Sequence, residues 1–251
     1  MYLFSITTYP NEKQREDDYK SFQDEQDWYF SALSKNGQIL INSCNSIYME
    51  SKFVTYFLAP EMDSIDAKNN NKYVSEFYAK FLELCRRKPS ISIIGKSSDY
   101  ELPCNCKSPS WYMLYTDYMT HESPIVCGDC GSTVPLYKLP KILGEDEYFK
   151  VLGWQKAYQA CDRLFMEGIG ERGAYQRLSK PTSDLSVLGR EICEAFEKAT
   201  GKPFYYYLFR YYSSHKLSCS ICGSEWKLGD GESLFIDYRC DKCRLVGDKV
   251  K

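Results

Sequence analysis

The chain has 251 residues, of which 43% are apolar and 26% charged, so it is long enough and apolar enough to bury one large core or two ordinary ones. Its formal net charge of −2 argues against a uniformly basic surface that coats nucleic acid. No apolar run approaches the roughly 20 residues of a membrane-spanning helix, and the first residues lack the basic start of a secretory signal, so we expect a cytoplasmic protein that does not enter a membrane.

Residues 1–100 are predicted to form a mixed α/β domain. Strand patterns occur at 2–8, 51–58 and 91–94, and helical patterns occur in a charged stretch before residue 36 and at 72–87. In the charged stretch, Tyr19, Phe22 and Trp28 are expected to face inward. Asn36-Gly37 is typical of a hairpin turn and is predicted to connect this stretch to residues 38–42.

The remainder of the chain is predicted to alternate small metal-binding units with helices. We expect a first zinc ribbon over residues 101–144 with a strand at 111–116, a helical region over 145–203, and a strand followed by a second zinc ribbon over 204–251. Asp184 is expected to cap a helix that ends near Thr200, because Gly201 and Pro203 follow. The fold class predicted for the whole chain is α+β.

Two sets of four cysteines have the spacing of metal ligands. The first cysteine set is Cys104, Cys106, Cys127 and Cys130, and the second cysteine set is Cys219, Cys222, Cys240 and Cys243. A tetrahedral Zn²⁺ ion needs four ligands, which short Cys-x₁₋₂-Cys pairs on two separate turns can supply. Gly223 directly follows one pair and is suited to a turn that needs a positive φ. The sequence therefore predicts two structural Zn²⁺ ions.

Other chemistries for these cysteines are less consistent with the chain. A disulfide scaffold conflicts with the expected reducing compartment, and an iron–sulfur cluster fits the flanking sequence less well than zinc. His121 or His215 could replace a cysteine, although each is a lone histidine in a polar segment. Four thiolates leave no open position on zinc, and no His-Glu-x-x-His motif is present, so we expect no metal-dependent hydrolysis.

Several further motifs have ordinary structural explanations. Cys85, Cys161 and Cys193 lie on apolar helix faces, where small buried side chains are expected, and Cys44 has no catalytic partner in view. Residues 168–173 match the letters of a dinucleotide-binding fingerprint, but they follow a helix instead of a strand and are expected to form a helix–helix turn. No catalytic or cofactor-binding residue is predicted, and no small-molecule substrate is expected.

Two features leave nucleic-acid binding open. Tyrosines between residues 205 and 212 could stack unpaired bases, or they could pack in the core. Residues 201–251 carry nine basic and six acidic side chains, with basic residues around the second cysteine set at Lys227, Arg239, Lys242 and Arg244. Residues 1–150 instead carry 16 basic and 21 acidic side chains, and such a surface would attract a basic protein partner.

Two family resemblances add to these observations. From about residue 150 onward the chain resembles a bacterial family of zinc-ribbon proteins of unknown function for which nucleic-acid binding has been suggested; the matching stretches are 154–165, 189–193, 200–208, 219–226 and 240–246. The pattern Cys-x-x-Cys-Gly at 127–131 and 219–223 also resembles the double-CXXCG proteins, some of which are immunity proteins that neutralise antibacterial toxins. The resemblances imply a non-catalytic zinc-ribbon protein whose partner is nucleic acid or, alternatively, a toxin.

Overall fold

The chain folds around two separate hydrophobic cores, one within residues 4–81 and the other within residues 104–246. The computed structural model describes residues 1–11, 19–144, 146–212, 217–229 and 235–248. We call residues 1–96 the N-terminal lobe and residues 104–248 the C-terminal lobe. Both contain helices and strands, so the protein has the α+β fold class that the sequence predicts.

The N-terminal lobe is a four-stranded antiparallel sheet with two helices. Its elements are β1 (Tyr2–Thr8), α1 (Tyr19–Lys35), β2 (Leu40–Met49), β3 (Lys52–Ala59), α2 (Lys72–Glu83) and β4 (Ser90–Lys96). The strand order β2-β3-β1-β4 places β1 between β3 and β4. This βαββαβ arrangement is the ferredoxin-like topology.

Alternation along β1 and β3 gives this sheet one buried face. Phe4 and Ile6 of β1 and Phe57 of β3 are almost fully buried, because successive strand residues point to opposite faces and these three share the face that the helices cover. From α1, Phe22 enters the same core and stacks on Phe53 at 5.3 Å between ring centroids. Burial of these aromatic rings is the main source of stability for the lobe.

The first helix departs from the prediction in two respects. Trp28 is 52% exposed, although its spacing suggested an inward position. It stacks on Phe77 of α2 on the outside of the helix pair. Asn36-Gly37 does not form a hairpin turn. Gly37 has a φ of 77° and donates to the carbonyl of Ser34, so the dipeptide ends α1 as a left-handed helix cap. The side chain of Tyr19 lies outside the described residues.

The C-terminal lobe combines a five-stranded mixed sheet with three helices. Its elements are β5 (Tyr112–Leu114), β6 (Ile125–Cys127), α3 (Phe149–Met166), α4 (Glu171–Ser179), α5 (Asp184–Thr200), β7 (Phe204–Tyr207), β8 (Tyr238–Cys240) and β9 (Leu245–Gly247). The strand order is β6-β5-β7-β9-β8, in which β7 is parallel to both β5 and β9. One sheet thus joins strands from both segments that were predicted as separate ribbons.

The helices cover one face of this sheet. Ser183 caps α5 by accepting a hydrogen bond from the amide of Ser186, so the cap lies one residue before the predicted Asp184. Gly189 of α5 faces Tyr206 of β7 and Trp154 of α3. The Trp154 indole also donates to a carbonyl of α5 at 3.1 Å. Three of the stretches that carry the family resemblance therefore meet in the core.

The glycine-rich segment 168–173 is a helix–helix connection, as the sequence predicts. Gly168 and Gly170 have φ values of 71° and 63° and lie between α3 and α4. Among the described residues, no helix has the length and hydropathy that crossing a bilayer requires.

Polar contacts join the two lobes. Tyr137 donates to Glu61 at 2.5 Å, Lys138 pairs with the same carboxylate at 2.6 Å, and Lys141 donates to the Asn36 side chain at 2.6 Å. Leu136 packs against Gly37, where an added Cβ would meet the Leu136 Cβ at 2.6 Å. The segment that leaves the first cysteine set therefore rests on the end of α1.

Candidate metal centres

The first cysteine set is built on a tight turn that follows β6. Cys127 donates its amide to the carbonyl of Ser132 at 2.9 Å, and Gly131 donates back to the Cys127 carbonyl at 2.9 Å. Gly131 has a φ of 76°, and Val126 and Thr133 form a β-bridge on either side. The turn directs both cysteines of the Cys-x-x-Cys pair to one side.

The second cysteine set repeats this turn. Cys219 donates to the carbonyl of Ser224 at 2.8 Å, and Gly223 donates to the Cys219 carbonyl at 2.9 Å. Gly223 has a φ of 73°, as predicted from the sequence, and Ser218 forms a β-bridge with Glu225. The motif Cys-x-x-Cys-Gly-Ser therefore encodes the same local structure twice.

The remaining pairs approach these turns from separate segments. Cys104 donates its amide to the carbonyl of Thr133 at 2.8 Å, which fixes it beside the first turn. The Cys106 amide lies 3.4 Å from the Cys104 Sγ. Cys240 is the last residue of β8, and Cys243 follows in a turn.

Each cysteine set converges on one point. Within each set, the four Sγ atoms all lie within 4.8 Å of one another, and the Sγ atoms of Cys222 and Cys240 are 3.6 Å apart. A Zn–S bond of ~2.3 Å in a tetrahedron places sulfur atoms roughly 3.8 Å apart. In a covalent disulfide the two sulfur atoms are only ~2.05 Å apart. The eight cysteines singled out from the sequence thus form two groups that could each hold one metal ion.

The protein environment favours the thiolate at some positions and opposes it at others. The Ser224 hydroxyl, 3.4 Å from the Cys222 Sγ, lowers the pKa of that thiol to about 6. Burial opposes ionisation of Cys130, yet hydrogen bonding from Ser132 brings its pKa down to about 7. Burial raises the pKa of Cys243 to about 12. A bound cation would supply the charge that ionises the thiols which the protein alone leaves protonated.

Aromatic side chains link the two cysteine sets. Phe235, from the segment before β8, packs 6.2 Å from the Trp111 ring and contacts the turn at Gly131. Trp111 also covers Gly128, where an added Cβ would meet the indole at 2.0 Å, and packs edge-to-face on Tyr205. This link is not apparent from the sequence, because it depends on residues about 100 positions apart.

Predicted alternatives to the cysteines lie elsewhere. His121 is exposed and belongs to neither metal centre, and His215 is outside the described residues. Cys161 and Cys193 are buried in the C-terminal core, as expected. Burial raises the pKa of Cys85 to about 11 and that of Cys44 to about 12, so both favour the protonated thiol.

The residues that suggested nucleic-acid contact have other neighbours. Tyr205, Tyr206 and Tyr207 are all buried, with exposed fractions of 8% or less, so they pack in the core. Tyr211 and Tyr212 are instead 49% and 60% exposed and lie edge-to-face beside Phe165. Arg244 pairs with Glu197 at 2.9 Å, and Arg239 lies 3.1 Å from Asp241. Lys227 and Lys242 are exposed.

Apolar and aromatic side chains pack beside the second cysteine set. Trp226 and Tyr238 are buried and tilted against each other at 5.4 Å, and the Arg210 guanidinium lies 4.1 Å from the Tyr238 ring centroid. Leu228 and Phe235 are partly buried against the same core.

Comparison with known proteins places the chain in a family. An uncharacterised protein of Haemophilus influenzae is 32% identical over 205 residues, which cover 78% of this chain and 77% of the relative. The chain belongs to the same family as this Haemophilus protein. A second uncharacterised protein of that organism is 34% identical over 165 residues, covering 62% of this chain and 79% of the relative.

Three family profiles, each described as a domain of unknown function, match successive parts of the chain: DUF8589 at residues 1–95, DUF2310 at 106–209 and DUF8594 at 212–249. The boundary between the first two profiles coincides with that between the lobes, whereas DUF2310 and DUF8594 meet within the C-terminal lobe, and none of the three names a metal.

Solved structures show only remote likeness. A putative antibiotic biosynthesis monooxygenase from Nitrosomonas europaea has 10% identity and a TM-score of 0.31, covering 38% of this chain and 98% of that one. A conserved protein from Methanosarcina mazei has 12% identity and a TM-score of 0.29, covering 39% and 95%. Likeness at this level carries no functional argument.

Proposed function

We propose that each cysteine set holds one structural Zn²⁺ ion and that the chain is a non-catalytic protein-binding protein of the cytoplasm. The observation that carries the metal assignment is the convergence of four Sγ atoms within 4.8 Å in each set. Four thiolates complete a tetrahedral site and leave no position for a substrate or water. When bound, zinc supplies a crosslink between the two turns of each centre. Such thiol sites persist where cysteines stay reduced, which is the basis for proposing the cytoplasm.

A protein partner is supported by exposed apolar residues on the N-terminal sheet. β4 is an edge strand, and its Ile91, Ile93 and Ile94 are 42%, 46% and 56% exposed. At the opposite edge, Ile47 and Met49 of β2 are each 46% exposed. Exposed apolar edge strands favour association with another chain. The acidic balance of residues 1–150 favours a basic partner, and a toxin neutralised by this chain would be one such protein.

Nucleic-acid binding remains a second candidate because Lys227 and Lys242 are exposed beside the second cysteine set. Tyr211 and Tyr212 are also exposed and could stack bases. The other supports are weaker in the folded chain, since Tyr205, Tyr206 and Tyr207 are buried and Arg244 is paired with Glu197. Contacts with few phosphates give weak binding that decreases only moderately as salt rises, because the salt dependence scales with the number of phosphates neutralised.

Affinity purification from the native cell with and without nuclease distinguishes the two. On the protein hypothesis, a defined partner survives nuclease treatment, rebinds the purified chain, and is lost with Ile93→Lys but retained with a Lys227→Ala/Lys242→Ala double variant. Loss of all co-purified material on nuclease treatment, with salt-sensitive RNA or DNA binding abolished by the double variant, would instead establish nucleic-acid binding. Circular dichroism of each variant verifies folding.

A further inference from the structure

A cleft of about 330 Å³ opens on the face of the five-stranded sheet that α5 leaves uncovered. Phe204 and Tyr206 of β7 point towards α5 and α3, so Tyr207 points the other way. Met113, which pairs with Tyr205 across β5 and β7, shares the face of Tyr207 and also lines the cleft. No cysteine lines the cleft, although Gly131 and Ser132 of the first Cys-x-x-Cys-Gly turn form part of its wall.

Three carboxylates line this cleft, and they come from three different segments: Glu101, Glu122 and Asp248. Among the described residues that line it, none is Lys, Arg or His. The Met1 ammonium is attracted by Glu122 but donates to the carbonyls of Tyr100 and Glu101 at 3.4 and 3.1 Å. It does not line the cleft.

The walls between the carboxylates are aromatic and apolar. The rings of Tyr115 and Tyr207 meet edge-to-face at 4.8 Å, and Met113, Val126 and Ile236 are each at least 94% buried. The hydroxyl of Tyr207 is hydrogen-bonded to the Asp248 carboxylate, which together with burial raises the pKa of the phenol. The tyrosine therefore stays neutral, and its ring keeps the negative face that attracts cations.

We propose that this cleft binds a small organic cation, namely a primary ammonium group on an apolar carbon body. The carboxylates would balance the positive charge, while the tyrosine rings and aliphatic walls would cover the carbon body. Anions would be repelled by all three carboxylates, and a neutral molecule would gain no attraction from their charge. The volume lies at the lower end of the range for ligand sites, which limits the ligand to a small molecule. The proposal does not depend on the partner proposed above.

Calorimetric titration of the metal-loaded protein with phenethylammonium tests this directly. 2-Phenylethanol has the same ring and chain length without the charge and serves as the matched probe. We expect saturable binding of the amine at least roughly tenfold tighter than that of the alcohol, since the charge contributes most of the affinity. Glu122→Gln and Glu101→Gln should each weaken amine binding about fivefold or more, whereas Glu83→Gln, an exposed site in the N-terminal lobe, should leave it unchanged.

Equal affinity for amine and alcohol would overturn the proposal, as would absence of saturable amine binding at millimolar concentrations. Unchanged amine affinity in both Glu122→Gln and Glu101→Gln would also overturn it. Glu101 is exposed, so its substitution probes the cleft without disturbing the core.

Discussion

Arg244, the residue directly after the last cysteine of the second set, makes a two-pronged ion pair with Glu197 of α5, with Nε–Oε2 and Nη2–Oε1 distances of 2.9 Å. It occupies the position that Gly131 and Gly223 hold in the other two Cys-x-x-Cys turns and, like them, has a positive φ, of 51°. A left-handed backbone costs a residue with a Cβ on the order of 1 kcal/mol. The ion pair offsets that strain and connects the second cysteine set to α5.

Glu197→Gln should therefore destabilise the C-terminal lobe. Both partners are about one-third exposed, so solvent screening limits the expected loss to about 1 kcal/mol. Urea unfolding of the metal-loaded protein measures it. Glu194→Gln, at an exposed position on the same helix, should change the free energy of unfolding by much less. Equal effects of the two substitutions would contradict a specific role for the Arg244 pair.

The contribution of Glu197 to the free energy of unfolding should also depend on pH. Arg244 lowers the pKa of the Glu197 carboxyl, with help from the Phe204 amide and against the effect of burial. Because the folded-state pKa is lower than the unfolded-state value, the stabilisation is fully present above the unfolded pKa and is lost as pH falls through the folded pKa. We expect the difference in free energy of unfolding between the wild-type chain and Glu197→Gln to be constant from about pH 6 to 8. This difference should shrink below about pH 4.5.

Glu194→Gln measured over the same pH range corrects for any metal lost in acid. A difference that persists undiminished at pH 3 would contradict the ion-pair explanation.

Metal content provides the next prediction. Protein purified without chelator should contain two Zn²⁺ ions per chain, and Cys222→Ser should contain one. Metal binding contributes roughly 10–16 kcal/mol in isolated zinc-finger peptides, so the region around the second cysteine set should lose hydrogen-exchange protection in this variant. The N-terminal lobe has its own core and should keep its protection.

Cys44→Ala, at a half-buried cysteine outside both sets, should retain both ions. Zinc-free wild-type protein would refute the zinc assignment at both centres.

The features that were predictable from the sequence depend on neighbouring residues. The two Cys-x-x-Cys-Gly turns are encoded within six residues each, so both their geometry and the positive φ of Gly223 follow from local sequence. β1 and α5 likewise have alternating or helical patterns with clear ends. The Asn36-Gly37 dipeptide misled the prediction because a left-handed glycine serves equally in a hairpin turn and in a helix cap.

The features that were not predictable depend on distant pairing. Tyr112 of β5 pairs with Phe204 of β7, and no local pattern indicates that partner. The sharing of one sheet by both cysteine sets follows from that pairing. Trp28 lies on the surface, where it stacks on Phe77 of another helix, and periodicity within one helix does not reveal such a neighbour.

Close packing at Gly189 predicts a large effect from a single methyl group. A Cβ at this position would lie 2.3 Å from Tyr206 Cε2 and 2.7 Å from Trp154 Nε1, and both side chains are buried. Gly189→Ala should therefore force the core apart and lower the free energy of unfolding by about 2–3 kcal/mol.

Gly153→Ala is the matched control because Gly153 is also within a helix but has no atom within 4 Å of an added Cβ. That variant should be neutral or more stable by up to ~1 kcal/mol, owing to the higher helix propensity of alanine. Thermal or urea unfolding compares the two. Similar stabilities would show that the α5–β7 contact is looser than described.

The glycines of the two turns should control how tightly zinc is held. Gly223→Ala imposes a positive φ on a residue with a Cβ but meets no neighbour within 4 Å, so it should cost about 1 kcal/mol through the backbone alone. Gly131→Ala adds crowding, since its Cβ would lie 3.2 Å from the Phe235 ring. It should therefore lower the free energy of unfolding by more than Gly223→Ala does. Both variants should transfer zinc to a chromogenic chelator faster than the wild-type chain.

Gly144→Ala separates backbone strain from an effect on the metal. Gly144 has a φ of 72° and open space around it, yet it lies outside both cysteine sets. Its substitution should lower thermal stability about as much as Gly223→Ala while leaving the rate of zinc transfer unchanged. Faster zinc transfer in Gly144→Ala would mean that general destabilisation, and not the geometry of the Cys-x-x-Cys-Gly turn, sets the release of the metal.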